Sequence, residues 1–298
     1  MVLRLARVVA LDTICMRASA RPVRRFRGPQ QPQLVLGEVS VCAGGPRCVE
    51  LFGLPFACVT QDSLLELIGH WIQTRGAHWI VTANVQQVGM ADRDSAYRTL
   101  LAGADVITAD GMPICWVGRA LGRPLPARVT GSDLIEPLAA RAAQRGWRLF
   151  LLGGEEGVAD ELRERLQTRH PGLQVVGTWA PPQLSLEEVV ESPASSVAAR
   201  RVREARPDVV LVAFGSPKQD LWIARHRDAL AVPVAIGVGG SFDFLVGRQR
   251  RAPEWMRRMG AEWLHRVLSS PGRLGPRYAR EGLTFLRLTL RELRAGRA

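Results

Sequence analysis

The stretch PDVVLVAFGSPKQDLWIARHRDALAVPVAIGVGG, residues 207–240, decides the fold of this 298-residue chain. It contains an apolar strand at 207–215, an amphipathic helix at 217–230 with apolar residues at i, i+3 and i+4, and a second apolar strand at 232–240. A helix that connects two such strands forms a crossover unit, in which the strands run parallel. The segment therefore predicts a parallel sheet.

The same alternation of strands and helices continues on the N-terminal side of this segment. Further strands are predicted at 78–85, 104–110, 147–154 and 173–180, and a further helix at 157–170. We therefore expect a Rossmann-like α/β core over residues 46–247, with a mainly parallel sheet and helices on both faces. In open sheets of this kind ligands bind beyond the carboxyl ends of the strands. This rule makes site candidates of the residues at those ends: Thr82, Asn84, Asp110, Gly153, Gly154, Gly215 and Gly239.

The composition is that of a globular protein with two basic ends. Hydrophobic residues make up 47% of the chain and the formal net charge is +12. Residues 1–36 carry seven Arg and one Asp, and residues 248–298 carry thirteen Arg and four Glu, so the middle is slightly acidic. No run approaches the roughly 18 apolar residues of a spanning helix, which argues against an integral membrane protein. The five cysteines form no CxxC pair, so we expect neither a disulfide framework nor a zinc ribbon, and a reducing cytoplasmic setting.

The two basic ends are predicted to lie outside the core. Residues 1–45 indicate a flexible, Arg-rich N-terminal extension, and residues 248–298 indicate a basic amphipathic helical tail with a Pro-Gly break at 271–272. Leu283, Leu286, Leu290 and Leu293 share one face of the last helix, and Arg280, Arg287, Arg291 and Arg294 lie nearer the other. Such a helix can lie in a membrane interface. The alternative is a helix that packs on the body with its arginine face in solvent.

Several local patterns suggest chemistry, and each has a structural alternative. The turn LLGGEEG (151–157) could bind a phosphate through its backbone amides, or serve as a tight turn without the GxGxxG spacing. Asp110 could act as a general base at a strand end, or cap the helix that follows it. Arg128 could pair with a leaving phosphate, or be a surface arginine. Ser132 and Asp133 are predicted to be the N-cap and first turn of the next helix.

Other chemistries find no support in the sequence. There is no GxSxG motif, and the five histidines show neither HxxxH nor HExxH spacing, so no metal site is expected. Asp92-Arg93-Asp94 matches the DxD pattern of metal-dependent sugar transferases. It lies within a helical pattern, so a solvated helix face is expected instead.

Eight blocks together are more specific than any single motif. In order they are TANVQQV, ADVITADGMP, LPARVTGSDL, RLFLLGG, DVVLVAFGSPKQDLWI, VAIGVGGSFDFLVG, RAPEWMRRMGAEWLHRV and PGRLGPRY. This series resembles the WecG/TagA/CpsF glycosyltransferases (glycosyltransferase family 26) over about residues 50–280. The resemblance implies an inverting transferase that moves an N-acetylmannosamine-type sugar, or glucose, from a UDP-sugar to a polyprenyl-diphosphate-linked saccharide in cell-surface polysaccharide synthesis. It further implies a β-linked product, no metal or other cofactor, and no nucleic-acid partner.

The resemblance also implies a location and a set of site residues. The enzyme would be cytoplasmic and peripheral on the inner face of the cytoplasmic membrane, with the anionic membrane surface and copies of itself as partners. Asp110 would be the catalytic base and Arg128 the arginine that follows it. The substrate-binding residues would be Thr82, Asn84, Gly153, Gly154, Gln219 and Asp243, with tail contributions from Arg266, Arg273 and Arg277.

The chain departs from the family pattern at two places. Asp220 stands where the family often has glutamate, and the segment 177–183 lacks an aromatic-Gly-aromatic pattern, so Trp179 would have to supply that wall of the uridine pocket. Two other classes stay open as alternatives. An NAD(P)-dependent oxidoreductase would fit the fold but lacks GxGxxG, and a nucleic-acid-binding protein would use the basic ends but lacks a recognition motif.

Overall fold

The computed structural model describes residues 40–41, 45–249, 252–253, 256, 259, 262–269 and 271–295. The strands of this part are β1 (Ser40–Val41), β2 (Arg47–Leu51), β3 (Leu54–Ala57), β4 (His78–Ala83), β5 (Val106–Ala109), β6 (Arg148–Gly153), β7 (Gln174–Trp179), β8 (Val209–Ala213) and β9 (Val234–Gly237). The helices are α1 (Gln61–Thr74), α2 (Val85–Arg93), α3 (Ser95–Ala102), α4 (Met112–Ala120), α5 (Gly131–Arg145), α6 (Val158–Arg169), α7 (Leu186–Glu191), α8 (Pro193–Ala205), α9 (Lys218–Leu230), α10 (Ser241–Leu245), α11 (Glu262–Ser269) and α12 (Pro271–Ala295).

The strands form a single mixed sheet in the order β1-β2-β3-β5-β4-β9-β8-β6-β7. β1, β2 and β3 pair antiparallel, and every pairing from β3 to β7 is parallel. All six predicted strands are present, and each is two to five residues shorter than predicted because residues at its ends belong to the flanking loops. The Rossmann-like fold expected from the sequence is confirmed.

Burial on both faces of the sheet explains why its central strands are continuously apolar. Every residue of β8 and β9 is buried. Packed against one face is a core that includes Trp79, Tyr97 and Trp222, and against the other a core that includes Ile68 and Leu138. A parallel sheet covered by helices on both sides needs such strands, since neither face meets water.

The N-terminal edge of the sheet was not predicted from the sequence. β1 lies within the predicted extension 1–45 and pairs with β2, while residues 1–39 of that extension lie outside the described residues. Cys58 and Cys115 carry free thiols, whereas Cys48, in β2, is disulfide-bonded, which the analysis of cysteine spacing does not predict.

The C-terminal helix packs on the body through a face that the sequence analysis did not single out. Leu288 is buried, and the ring of Phe285 lies 5.2 Å from that of Phe52. Arg287 and Arg291 both pair with Asp92 at the end of α2, at N–O distances of 3.1 and 2.8 Å. Their side chains are still 70% and 57% exposed, so the helix packs on the body while these two arginines reach solvent, which agrees with the second alternative from the sequence.

The opposite face of this helix is apolar and lies in solvent. Leu283, Leu286 and Leu290 are 71%, 55% and 45% exposed. With 3.6 residues per turn, Phe285 and Leu288 point to the side of the helix that is opposite these leucines. The packing face and the leucine face therefore lie on opposite sides. Among the described residues, no helix is both long enough and apolar enough to cross a membrane.

Candidate functional site

The carboxyl ends of five parallel strands, β4, β5, β6, β8 and β9, meet at one edge of the sheet. The chain leaves each of them in a loop that carries polar or glycine residues. Because parallel strands end on the same side, residues far apart in sequence come together here. Ligands of open α/β sheets bind at this edge.

A cavity of about 780 Å³ opens beyond the ends of β6, β8 and β9. That volume lies within the range of small-molecule and cofactor sites. The lining residues come from the loops after β6, β7, β8 and β9, and from α7 and the starts of α9 and α10: Gly154, Glu155, Glu156, Ala180, Pro181, Pro182, Gln183, Leu184, Val189, Ala213, Phe214, Gly215, Lys218, Gly239, Gly240 and Asp243. Trp179 is not among them, and its ring faces the guanidinium of Arg201 at 5.6 Å instead.

Charged side chains of both signs line this cavity. Burial, and then the neighbouring carboxylate of Glu155, raise the pKa of Asp243, and Arg248 opposes that shift. Lys218, the only lysine of the chain, lines the cavity at the first residue of α9. Carboxylates can accept hydrogen bonds from ligand hydroxyl or N–H groups, and an ammonium group can pair with a phosphate.

The predicted catalytic pair lies at the same edge, after β5. The backbone N–H of Val129 donates to the carbonyl of Ala109 at 3.1 Å, so the segment at 128–130 runs beside the end of β5. Asp110 and Arg128 flank this bond in the chain, and the fold therefore brings the two residues close together. The N-cap of α4 is Gly111, without a side-chain cap, so Asp110 is not the N-cap of this helix.

Arg128 is held by carboxylates rather than lying on the surface. Its guanidinium is 2.9 Å from Asp133 Oδ2 and 3.7 Å from Glu262 Oε2, and its side chain is 16% exposed. Glu262 belongs to α11, so the C-terminal part of the chain reaches this site. The predicted N-cap Ser132 is wrong: Thr130 caps α5, accepting the N–H of Asp133 at 3.0 Å, because its hydroxyl precedes the helix by one residue.

Three of the predicted substrate-binding side chains hold the loops of this edge together. The hydroxyl of Thr82 donates to the carbonyl of Gly237 at 2.9 Å, which joins β4 to β9. Asn84 caps α2, in a reciprocal capping box with Gln87. The side-chain carbonyl of Gln219 accepts the backbone N–H of Gly239 at 2.8 Å. The structure brings these residues to the site edge, but none of the three is part of the cavity wall.

The glycine pair after β6 permits a close approach of two loops. Gly153 has φ +103°, and a Cβ there would lie 2.7 Å from the carbonyl oxygen of Ala213. Gly154 follows it with φ +79° and lines the cavity. A side chain at Gly153 would therefore push β6 and β8 apart at the mouth of the cavity.

The remaining predicted residues are only partly described. Arg266 lies in α11, and Arg273 and Arg277 lie in α12, but their side chains are outside the described residues. No group of three His, Cys, Asp or Glu side chains that could hold a metal occurs within the described ranges.

The expectation that the DxD segment forms a solvated helix face is wrong. Asp94 is buried and caps α3, accepting the N–H groups of Ala96 and Tyr97 at 2.9 and 3.1 Å. Asp92 pairs with two arginines of α12. Asp94 therefore caps α3 and Asp92 pairs with α12, so each carboxylate has a structural role of its own.

A buried hydrogen-bond network behind the cavity was not predicted from the sequence. Asp220 is fully buried, and its Oδ2 accepts hydrogen bonds from Tyr97 Oη at 2.6 Å and from Gln87 Nε2 at 3.2 Å. Burial raises the pKa of Asp220 to about 6, although hydrogen bonds lower it in part. The sequence signal for this network is an acidic residue within the apolar pattern of α9.

Fold and site together define a Rossmann-like α/β protein with a ligand cavity at the carboxyl edge of its sheet. A sequence model of the Glycosyl transferase WecG/TagA/CpsF family matches residues 49–298. The chain belongs to this family and is a glycosyltransferase, as the block pattern predicted. Neither alternative from the sequence, an oxidoreductase or a nucleic-acid-binding protein, agrees with this membership.

Two relatives show what the chain is similar to. Both are named N-acetylglucosaminyldiphosphoundecaprenol N-acetyl-beta-D-mannosaminyltransferase. The protein of Bacillus spizizenii is 35% identical over 201 residues, which cover 67% of this chain and 74% of the relative. The protein of Staphylococcus aureus (strain MW2) is 30% identical over 229 residues, which cover 76% of this chain and 87% of the relative.

Proposed function

We propose that this glycosyltransferase moves N-acetylmannosamine, or a related hexose such as glucose, from a UDP-sugar to a polyprenyl-diphosphate-linked saccharide. The names of the relatives support the acceptor class and the N-acetylmannosaminyl group. The observation that carries the proposal is the placement of a cavity of about 780 Å³ at the same sheet edge as Asp110 and Arg128. That placement supports a donor site and a reacting centre at one edge of the sheet.

Asp110 is the proposed general base. An inverting reaction is a single displacement at the anomeric carbon, in which the acceptor hydroxyl attacks opposite the UDP group and the product is β-linked. A carboxylate at the strand end can take the hydroxyl proton as the bond forms. Such proton transfer contributes about 10²–10⁴ in rate.

The negative charge on the leaving diphosphate is the second demand of this reaction. Asp133 and Glu262 hold the Arg128 guanidinium in place, and its fork of five N–H donors leaves others for a phosphate oxygen. Lys218 in the cavity wall adds a second cation. Fixed positive groups of this kind stabilise developing charge without reorganising. In this proposal no metal or other cofactor takes part, and Arg266, Arg273 and Arg277 of the tail complete the positive cluster.

We propose that the enzyme is peripheral on the inner face of the cytoplasmic membrane, where it would meet an acceptor whose polyprenyl chain stays in the bilayer. The exposed leucines of α12 form an apolar face that can enter a membrane interface, with arginines beside it for anionic headgroups. Each basic residue near such a surface contributes about 1 kcal/mol. We propose peripheral binding through this face.

Calorimetric titration of the purified chain with UDP tests the donor assignment, with GDP, ADP and NADH as comparisons, each in EDTA and in Mg²⁺. UDP is expected to bind in both buffers, at least tenfold more tightly than the other three. Absence of UDP binding, or preferred binding of NADH, would overturn the donor assignment. Binding that requires Mg²⁺ would overturn the metal-free reaction.

A matched pair of variants locates the binding. Asp243→Asn alters a carboxylate in the cavity wall and is expected to weaken UDP binding at least fivefold. Asp228→Asn alters a carboxylate whose side chain is 90% exposed on α9, and is expected to leave the affinity unchanged. Turnover is then measured as UDP release from UDP-N-acetylmannosamine with N-acetylglucosaminyldiphosphoundecaprenol as acceptor.

A further inference from the structure

A fully buried carboxylate, that of Asp220, lies behind the site, where a charge is costly unless it is hydrogen-bonded. Asp220 is fully buried in the first turn of α9 and is not part of the cavity wall. Its Oδ2 accepts from both Tyr97 and Gln87. Asp220 follows Gln219 directly in the chain, so the hydrogen bonds that fix Asp220 also fix the start of α9.

The first connection from Asp220 runs to the loop after β4. Gln87 donates through its side-chain amide to Asp220, and its side-chain carbonyl accepts the backbone N–H of Asn84 at 3.2 Å. Asn84 returns the contact, since its Oδ1 accepts the N–H of Gln87 at 3.1 Å. With both ends of its side-chain amide engaged, Gln87 transmits the position of Asp220 to the Asn84 turn.

The second connection runs to the loops after β8 and β9. Gln219 donates its backbone N–H to the carbonyl of Gly215 at 3.0 Å, and its side chain accepts from Gly239 at 2.8 Å. β4, β9 and β8 are neighbours in the sheet. One carboxylate therefore lies at the junction of the loops that follow three adjacent strands.

We propose that Asp220 is a positioning residue, whose buried carboxylate holds the Asn84 turn and the Gln219–Gly239 contact in register at the substrate-binding edge. Its catalytic consequence rests on the proposed function, because Asn84 and Gln219 are substrate-binding residues only by that proposal. Its structural consequence, that the two turns are held in a fixed conformation, does not depend on the proposed function. The two consequences are therefore tested separately.

The test uses two substitutions at Asp220 and one matched control. Asp220→Leu keeps a similar volume and removes the acceptor of both hydrogen bonds, whereas Asp220→Asn keeps an acceptor oxygen. The control is Asp208→Asn, which alters another buried aspartate at the opposite edge of the sheet, where its Oδ2 accepts the N–H of Arg148 at 2.9 Å. Like Asp220→Asn, this control removes the charge of a buried carboxylate and keeps an acceptor oxygen, and it lies away from the site.

Hydrogen exchange of individual amides gives the structural readout. In Asp220→Leu the amides of Asn84, Gln87 and Gly239 are expected to exchange at least tenfold faster, while Asp208→Asn leaves them within twofold and Asp220→Asn lies between. Unchanged exchange in Asp220→Leu would overturn the proposal, and so would an equal increase throughout the chain. If Asp220→Leu does not fold, Gln87→Met breaks the same connection, and an Asn84 amide that stays protected there overturns it equally.

Kinetics give the functional readout. With UDP-N-acetylmannosamine and N-acetylglucosaminyldiphosphoundecaprenol, kcat of Asp220→Leu is expected to fall at least tenfold with UDP affinity within threefold of the unaltered chain. Asp220→Asn should recover most of that loss. If the unaltered chain binds no UDP, the proposed function has failed; if it binds UDP and turns over, but Asp220→Leu keeps full kcat, the positioning role has failed.

Discussion

Replacing Asp220 with asparagine is expected to change how the stability of the protein depends on pH. Burial raises the pKa of this carboxyl from 3.8 to about 6 in the folded protein. The unfolded chain releases this proton near pH 3.8, so between the two pKa values only the folded protein holds it. The stability linked to this proton is therefore complete below about pH 4 and is lost as the pH rises through 6.

The size of the effect follows from the two pKa values. A difference of about two units corresponds to about 3 kcal/mol in the free energy of unfolding. Of this, about 2 kcal/mol is lost between pH 4.5 and pH 7.5. Asparagine does not titrate, so the difference between the two proteins isolates the contribution of Asp220 from every other group.

Urea unfolding of both proteins at pH 4.5, 5.5, 6.5 and 7.5 measures this difference. The stability of Asp220→Asn relative to the unaltered chain should rise by about 2 kcal/mol across the series, most steeply between pH 4.5 and 6. A difference that stays constant with pH would refute the raised pKa. A change of opposite sign would mean that hydrogen bonds to the carboxylate outweigh its burial.

Further substitutions test the proposed base, the membrane contact and the packing of the sheet. Asp110→Asn is expected to lower turnover by about 10²–10⁴ with UDP affinity unchanged, and near-normal kcat in a folded protein would exclude it as the base. Co-sedimentation with phosphatidylglycerol vesicles should fall at least fivefold in the double variant Leu286→Gln/Leu290→Gln, and likewise on deletion of residues 274–298. Unchanged binding of the truncated chain would contradict the membrane role of the tail. Gly177→Ala places a methyl group against the ring of Phe150, so thermal or urea unfolding should show a loss of about 1–3 kcal/mol, whereas an unaltered midpoint would show that the ring moves freely.

The strands and the site edge were predictable from local features of the chain. Strands such as VVLVA at 209–213 are continuously apolar because helices cover both faces of a parallel sheet. The glycine, asparagine and aspartate residues that end these strands indicated where the loops begin. The rule that ligands bind at the carboxyl ends then placed Asn84, Asp110 and Gly154 at one edge.

The orientation of the C-terminal helix was not predictable in this way. Its sequence carries apolar side chains on two sides, and helical periodicity shows only that both exist. Leu288 and Phe285 pack on the body because Phe52, more than two hundred residues earlier, offers a surface there. The larger leucine face, which the sequence alone would favour for burial, is left in solvent.

The amino-acid sequence alone specifies the alternating strands and helices, the edge of the sheet that carries the cavity, and the family to which the chain belongs. The tertiary structure was needed to show that Arg128 pairs with Glu262, that Asp92 holds the C-terminal helix, and that Asp220 joins Tyr97 to Gln87. Periodicity and spacing report neighbours within one element. Contacts between side chains more than a hundred residues apart depend on how the helices dock on the sheet, and that is decided only when the whole core packs.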